Sequence, residues 1–392
     1  MAAPAASWRV HAPWTDKKGR LHPLRATVFV LLLLPALVLA TTWLTVGLGA
    51  RPVREAIHST GYWAVWFLLA SLAVTPWKAL SGDPGVAVVR RMVGIASLAY
   101  ALAHLLLYMA DENWRWLHIG QEIVLRVYLL IGAVALGGLC VLGATSTDAA
   151  VRRMGKRWKN LHKLAYGIAV LTAVHFVLQS KADVSQAIVA SGVFAWLMLW
   201  RQLPAGPDRS PPVLAGLAVA ASLAAAAAEF LWYRFGTKID PVRVLWAEVD
   251  VSWGLRPAAL VLAIGLLVAA LVALKRVADG PWGARAGFTA ALFALGAVAD
   301  DALAWAFGLF GAEPAWMATL AAAPALALLG WVRHRMGEGW MRRGVDGLWL
   351  ASVAAPLLLD DAWPAAAGFG VLAAGAAVAL LRRPAPGRVA AE

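Results

Sequence analysis

The strongest constraint in this sequence is a rhythm of long apolar runs divided by short polar gaps, with Lys and Arg clustered in alternate gaps. A helix needs about 20 apolar residues to cross a bilayer. Runs near that length fall at 27–46, 62–77, 92–109, 127–144, 161–178, 187–200, 213–231, 257–274, 288–310, 316–332, 348–359 and 365–381. Backbone polar groups in lipid must be satisfied within the chain itself, so runs of this length are read as helices. The expected fold class is an all-α polytopic membrane protein. The basic clusters lie at 17–25, 90–91, 152–159, 275–276, 333–343 and 382–388. Basic loops stay on the cytoplasmic side. Twelve spans put every cluster there, with both termini cytoplasmic. The first run has no small-residue cleavage site after its basic flank, so it is read as the first transmembrane helix and not as a signal peptide.

The formal net charge of +13 on 392 residues is explained by those loops. It reports orientation and attraction to anionic membrane lipid, and implies no nucleic acid partner. The 21 Trp residues suit a chain with two membrane interfaces. A single cysteine, Cys140, excludes an intrachain disulfide and a thiolate-held iron–sulfur cluster. Inside its apolar run Cys140 reads as a small buried core residue.

Ionisable groups within the spans are costly there and are candidates for function. His104 lies 13 residues past Arg91 in the third span, and His175 lies 16 past Lys159 in the fifth. Both spans run outward, so the two imidazoles sit at one depth, about 20–24 Å from the cytoplasmic edge. Two histidines level on parallel helices can clamp one metal from opposite sides, as the axial ligands of a haem iron do. His162 is 13 residues before His175, about 20 Å along an ideal helix. That spacing would turn the two rings about 140° apart, so it demands an irregularity, at Gly167 or where the helix begins. Arg90 and Arg91 occupy the level of His162 on the third span and give it no imidazole partner. His118 follows the polar run "DENWRW" in a loop, and His11 and His22 read as solvated tail residues.

A polar, Pro-rich break at 201–212 divides the chain. The reading is a cytoplasmic tail over 1–26, a six-helix domain over 27–201, a two-helix extension over 213–279 and a four-helix module over 280–392. The later spans are rich in Ala and Gly, which lets helices approach closely. They carry a weak internal repeat ending in Asp300-Asp301 and Asp360-Asp361.

The histidine-bearing half resembles the MsrQ (YedZ) family of the ferric-reductase-like transmembrane group. The matching stretches are "PVREAIHSTGYWAVWFLLASLAVTP", "RRMVGIASLAYALAHLLLY", "GQEIVLRVYLLIG", "ATST" and "RRMGKRWKNLHKLAYGIAVLTAVHF". The family usually has Lys and then Arg-Pro-Tyr before the fourth span, where this chain has Gln121 and Arg126-Val127-Tyr128. The resemblance implies a six-helix b-haem bundle in a bacterial inner membrane. It implies one or two haems, with His104, His162 and His175 as ligands and His58 near the haem. Haem propionates, or the phosphate of FMN, would call on Arg91, Arg152 and Arg157 near the inner interface. The implied partners are a cytoplasmic flavin reductase or the quinone pool, and a periplasmic MsrP-like molybdoenzyme that reduces methionine sulfoxide. Such a chain is an electron-transfer subunit, with no catalytic residue of its own. Two other readings stand beside it: a ferric or quinone reductase on the same scaffold, and a transporter with His and Asp proton relays.

Overall fold

The computed structural model describes residues 12–278, apart from 17, 83, 182, 205–208 and 249–254, and side chains as far as 273. His11, His334, both Asp pairs and the four spans expected over 288–381 lie outside the described residues. Among the described residues the protein is helical, with one isolated bridge between Thr15 and Leu21. The helices are α1 (Pro23–Thr45), α2 (Pro52–Ser81), α3 (Arg90–Asp111), α4 (Trp116–Leu125), α5 (Val127–Ala144) and α6 (Asp148–Met154). They continue with α7 (Lys156–His162), α8 (Leu164–Ser180), α9 (Ser185–Gln202), α10 (Pro211–Gly236), α11 (Pro241–Ala247) and α12 (Pro257–Ala278). A 3₁₀ turn over Pro84–Val89 leads into α3. Proline opens α1, α2, α10, α11 and α12. Its fixed φ suits the first helical turn, where its missing N–H has no partner to lose.

Six segments are long and apolar enough to cross a membrane: Pro23–Thr45, Pro52–Ser81, Pro84–Asp111, Val127–Ala144, Lys156–Ser180 and Pro211–Gly236. This is a polytopic membrane protein. The expected sixth span, 187–200, is helical in α9 but is not among those six; Ser185, Gln186, Ser191, Arg201 and Gln202 dilute its hydropathy.

The chain divides into two compact units. The first holds α1 and α3–α8 with most of α2. Its helices are tied by polar contacts that lipid makes valuable. Ser97, fully buried on α3, donates its Oγ–H to the carbonyl of Ala64 on α2 at 2.8 Å. Pro35 interrupts α1, and a proline inside a helix breaks its hydrogen-bond ladder. Next to it the Tyr100 hydroxyl accepts from the amide of Ala36 at 2.9 Å and donates to the carbonyl of Leu32 at 2.9 Å. The phenol thus stands between two backbone groups that an unbroken helix would pair with each other. Tyr100→Phe removes both of these hydrogen bonds, at about 1–3 kcal/mol. The expected result is a lowered thermal unfolding midpoint in detergent; an unchanged midpoint would show that the bridge carries no stability.

The second unit contains α9–α12, and α9, which the sequence reading placed in the first domain, packs with α10 and α12. Ala218, Ala221 and Ala225 form a buried stripe on α10. A β-carbon on Gly192 would meet Val261 and Ala225, and one on Gly265 would fall 2.9 Å from the Ala218 Cα. Small residues bring these backbones together, as the composition implied for the later spans. Ser222 donates to the Ala258 carbonyl at 2.7 Å and fastens α10 to the start of α12.

Cys140 corrects an expectation. It is exposed on α5, not buried. α5 is apolar on every face, and pattern alone cannot tell a lipid-facing position from a packed one in such a helix.

Candidate cofactor site

The first unit brings His104 and His175 together. Their ring centres lie 6.4 Å apart, and their planes cross at 86°. Each ring is held by the same device. His104 reaches from α3 to α2, where its Nδ1 meets the Ile57 carbonyl oxygen at 2.8 Å. His175 reaches from α8 to α5, where its Nδ1 meets the Tyr128 carbonyl oxygen at 2.8 Å. A carbonyl oxygen can only accept, so Nδ1 carries the proton in both rings and Nε2 keeps its lone pair.

A glycine follows each accepting carbonyl by four residues, one helical turn on. A β-carbon on Gly61 would stand 2.8 Å from His104 Nδ1 and 3.0 Å from Cε1. One on Gly132 would stand 2.8 Å from both Nδ1 and Cε1 of His175. Each imidazole therefore lies in a notch cut into the neighbouring helix. Sequence reasoning missed both glycines. The available signal was "IHSTG" and "YLLIG", each placing its glycine four residues after the carbonyl that a histidine uses.

This arrangement suits an iron macrocycle. A metal–imidazole bond is about 2 Å and the ring centre lies about 1.1 Å further on, so two imidazoles across one metal have centres about 6.3 Å apart. Among the described residues no group of three or more His, Cys, Asp or Glu side chains converges on a common point. A bare zinc-like ion takes about four protein ligands. A porphyrin brings four nitrogens of its own and needs only the axial pair.

His162 stands apart. It ends α7, which one residue, Lys163, separates from α8. A second break comes earlier, at Gly155, whose φ of +53° separates α6 from α7; glycine adopts that backbone without steric cost. An irregularity between His162 and His175 lies at Lys163, whereas Gly167 is inside α8. The His162 ring stacks on Trp158, with centres 3.9 Å apart and planes 26° apart. Its Nδ1 faces the Trp158 carbonyl at 3.2 Å and its Nε2 faces Ser146 Oγ at 3.4 Å. Trp158 is itself anchored to the Thr145 carbonyl at 2.8 Å. Arg90 and Arg91 lie close enough to act on His162 electrostatically.

The remaining candidates are dispersed. Arg91 pairs with Asp148 at 2.6 Å, with both side chains largely exposed. Arg152 and Arg157 are exposed on α6 and α7. His58 is exposed and near enough to His104 to interact with it. His118, expected in a loop, sits in the first turn of α4, because the chain turns at Asn113–Trp114 and is helical again from Trp116; it lies 3.4 Å from Glu112, which also pairs with Arg115 at 3.2 Å. His22 is no free tail residue: its Nδ1 accepts from the Arg25 amide at 3.5 Å and caps α1.

Residues 60–173 match the family model described as "Ferric reductase like transmembrane component". That window holds Gly61, His104, Gly132 and His162, and ends two residues before His175. A protein of Rhodospirillum rubrum named "Protein-methionine-sulfoxide reductase heme-binding subunit MsrQ" is 40% identical over 192 residues, 48% of this chain and 90% of its own length. A protein of the same name from Xanthomonas euvesicatoria is 40% identical over 155 residues, 39% of this chain and 71% of its own. No solved structure matches the chain.

Proposed function

The chain belongs to the family of MsrQ heme-binding subunits, and from that premise we propose that His104 and His175 are the axial ligands of one b-type haem through which the protein serves a methionine sulfoxide reductase. The observation that carries the reading is the 6.4 Å separation of two rings whose Nδ1 atoms are both engaged by backbone carbonyls. A bound haem supplies an iron couple that accepts and gives one electron at a time, tuned by its axial ligands and its burial. The chain's own residues fix that environment. The Ile57 and Tyr128 carbonyls hold each imidazole in one tautomer and make its Nε2 more basic. Gly61 and Gly132 leave room for the rings.

The proposed direction is from a cytoplasmic flavin reductase or the quinone pool to a periplasmic MsrP-like molybdoenzyme, within a bacterial inner membrane. Arg152 and Arg157, exposed beside Lys156 and Lys159, form the surface that meets the electron donor or an anionic flavin such as FMN. His175 lies 11 residues beyond Leu164, about 16 Å along α8. These arginines therefore serve the inner face and not the His104–His175 pair. The test uses proteoliposomes carrying the full chain, with the flavin reductase on one side and the molybdoenzyme with an oxidised methionine peptide on the other. Sulfoxide loss that requires the chain supports the reading. Equal reduction of iron(III) or quinone without the molybdoenzyme would contradict it.

His162 holds a ligand role only by giving up Ser146. His162→Ala is expected to keep the haem held by the other two histidines, read as an unchanged reduced-minus-oxidised spectrum per chain. A fall in haem per chain would make His162 the ligand of a second one.

A further inference from the structure

We propose that Glu229 and Glu248, in the second unit, share one bound proton and form a carboxyl pair separate from the cofactor site. Glu229 lies on α10 and is 1% exposed. Its Oε1 accepts from Arg256 Nη2 at 2.6 Å. Its Oε2 is buried with no donor among the described residues. Glu248, just after α11, uses Oε2 to accept from the amides of Ala258 at 3.1 Å and Ala259 at 3.3 Å, capping α12. Its Oε1 is also buried with no donor among the described residues. The two carboxyls are within hydrogen-bonding reach of each other. Each side chain therefore spends one oxygen on a protein donor and leaves the other without one.

Two acceptors facing each other repel if both are ionised and bond if one is protonated. Charge gives the same answer. Arg256 is the cation described at the pair, and its guanidinium pairs with Glu229. Asp183 is close enough to add negative potential to Glu229. The Asp183 carboxylate is exposed and accepts from the Ser185 amide at 3.0 Å. Tyr233, buried one turn after Glu229 on α10, also interacts with Arg256. Glu229 is buried and Glu248 half-buried with its Oε1 turned inward; two carboxylates against one guanidinium leave one negative charge, and a single proton between Glu229 Oε2 and Glu248 Oε1 removes it. Burial without that compensation would be severe. The proton joins α10 to the segment that caps α12, so its loss loosens that end of the unit.

The test is infrared difference spectroscopy on the full haem-loaded protein in lipid, stepped from neutral to alkaline pH. A carboxylic C=O band should be present at neutral pH, shift in D₂O and disappear at high pH. Glu229→Gln and Glu248→Gln, which keep shape and supply an amide donor, should each abolish it while the haem spectrum stays unchanged. That spectrum separates this test from the cofactor reading, because a failed carboxyl pair leaves the haem in place. Should Glu229→Gln not fold, Glu248→Gln carries the assignment. A band that survives both substitutions overturns the proposal. So does a wild-type protein with no band, including one whose unfolding midpoint rises with sodium, since a metal cation would then occupy the place of the proton.

Discussion

His104→Ala and His175→Ala are each expected to give a protein that inserts and purifies without its haem, colourless where the wild type absorbs as a reduced b-type cytochrome. The effect is large because one imidazole cannot do the work of two. A porphyrin iron leaves two axial positions, and removing either side chain exposes one to solvent or to a weaker ligand. Each substitution also takes one donor from a backbone carbonyl. Ile57 O and Tyr128 O lose the donor that meets each of them at 2.8 Å. Haem quantified per chain checks the expectation, and a full complement in either variant would remove that histidine from the assignment.

Gly61→Val and Gly132→Val should come close to the same loss with both histidines intact. At either position the first added carbon falls 2.8 Å from an imidazole atom. Atoms that close cannot coexist, so the ring must leave its notch and lose its carbonyl. Overpacking of this kind costs about 1–3 kcal/mol in stability. Disturbing the partner that orients a metal ligand weakens metal affinity about 10–100-fold. Gly61→Ala and Gly132→Ala should fall between wild type and valine, since the ring has one methyl to avoid. A haem titration of the apoprotein reads the series. Equal affinity in all five proteins would mean that the glycines serve helix packing alone.

The relation between sequence and structure is uneven for physical reasons. Long apolar runs betray transmembrane helices because lipid leaves the backbone no alternative, and α1, α5 and α10 fall where hydropathy puts them. The level placement of His104 and His175 followed from counting residues to the basic loops, since helical rise converts sequence into depth. Rotation about the helix axis was not legible in the same way. A span apolar on all sides hides which face meets protein, and so Cys140 was misjudged. Glycine in a span ordinarily signals close helix packing, which concealed the role of Gly61 and Gly132. The Tyr100 bridge at Pro35 joins residues 64 or more positions apart, and no local pattern announces it. Glu229 and Arg256, 27 residues apart, form an ion pair that only the packing of α10 against α12 creates. The His162 spacing conflicted with an ideal helix, and the structure separates α7 from α8 at Lys163, between the two histidines.

The most direct test of the paired imidazoles is low-temperature electron paramagnetic resonance of the oxidised protein, compared with His104→Ala and His175→Ala. Two neutral imidazoles with planes 86° apart predict a low-spin ferric centre with strongly anisotropic g values, absent from both variants. A high-spin signal in the wild type, or a low-spin signal that outlasts the loss of either histidine, would contradict the account.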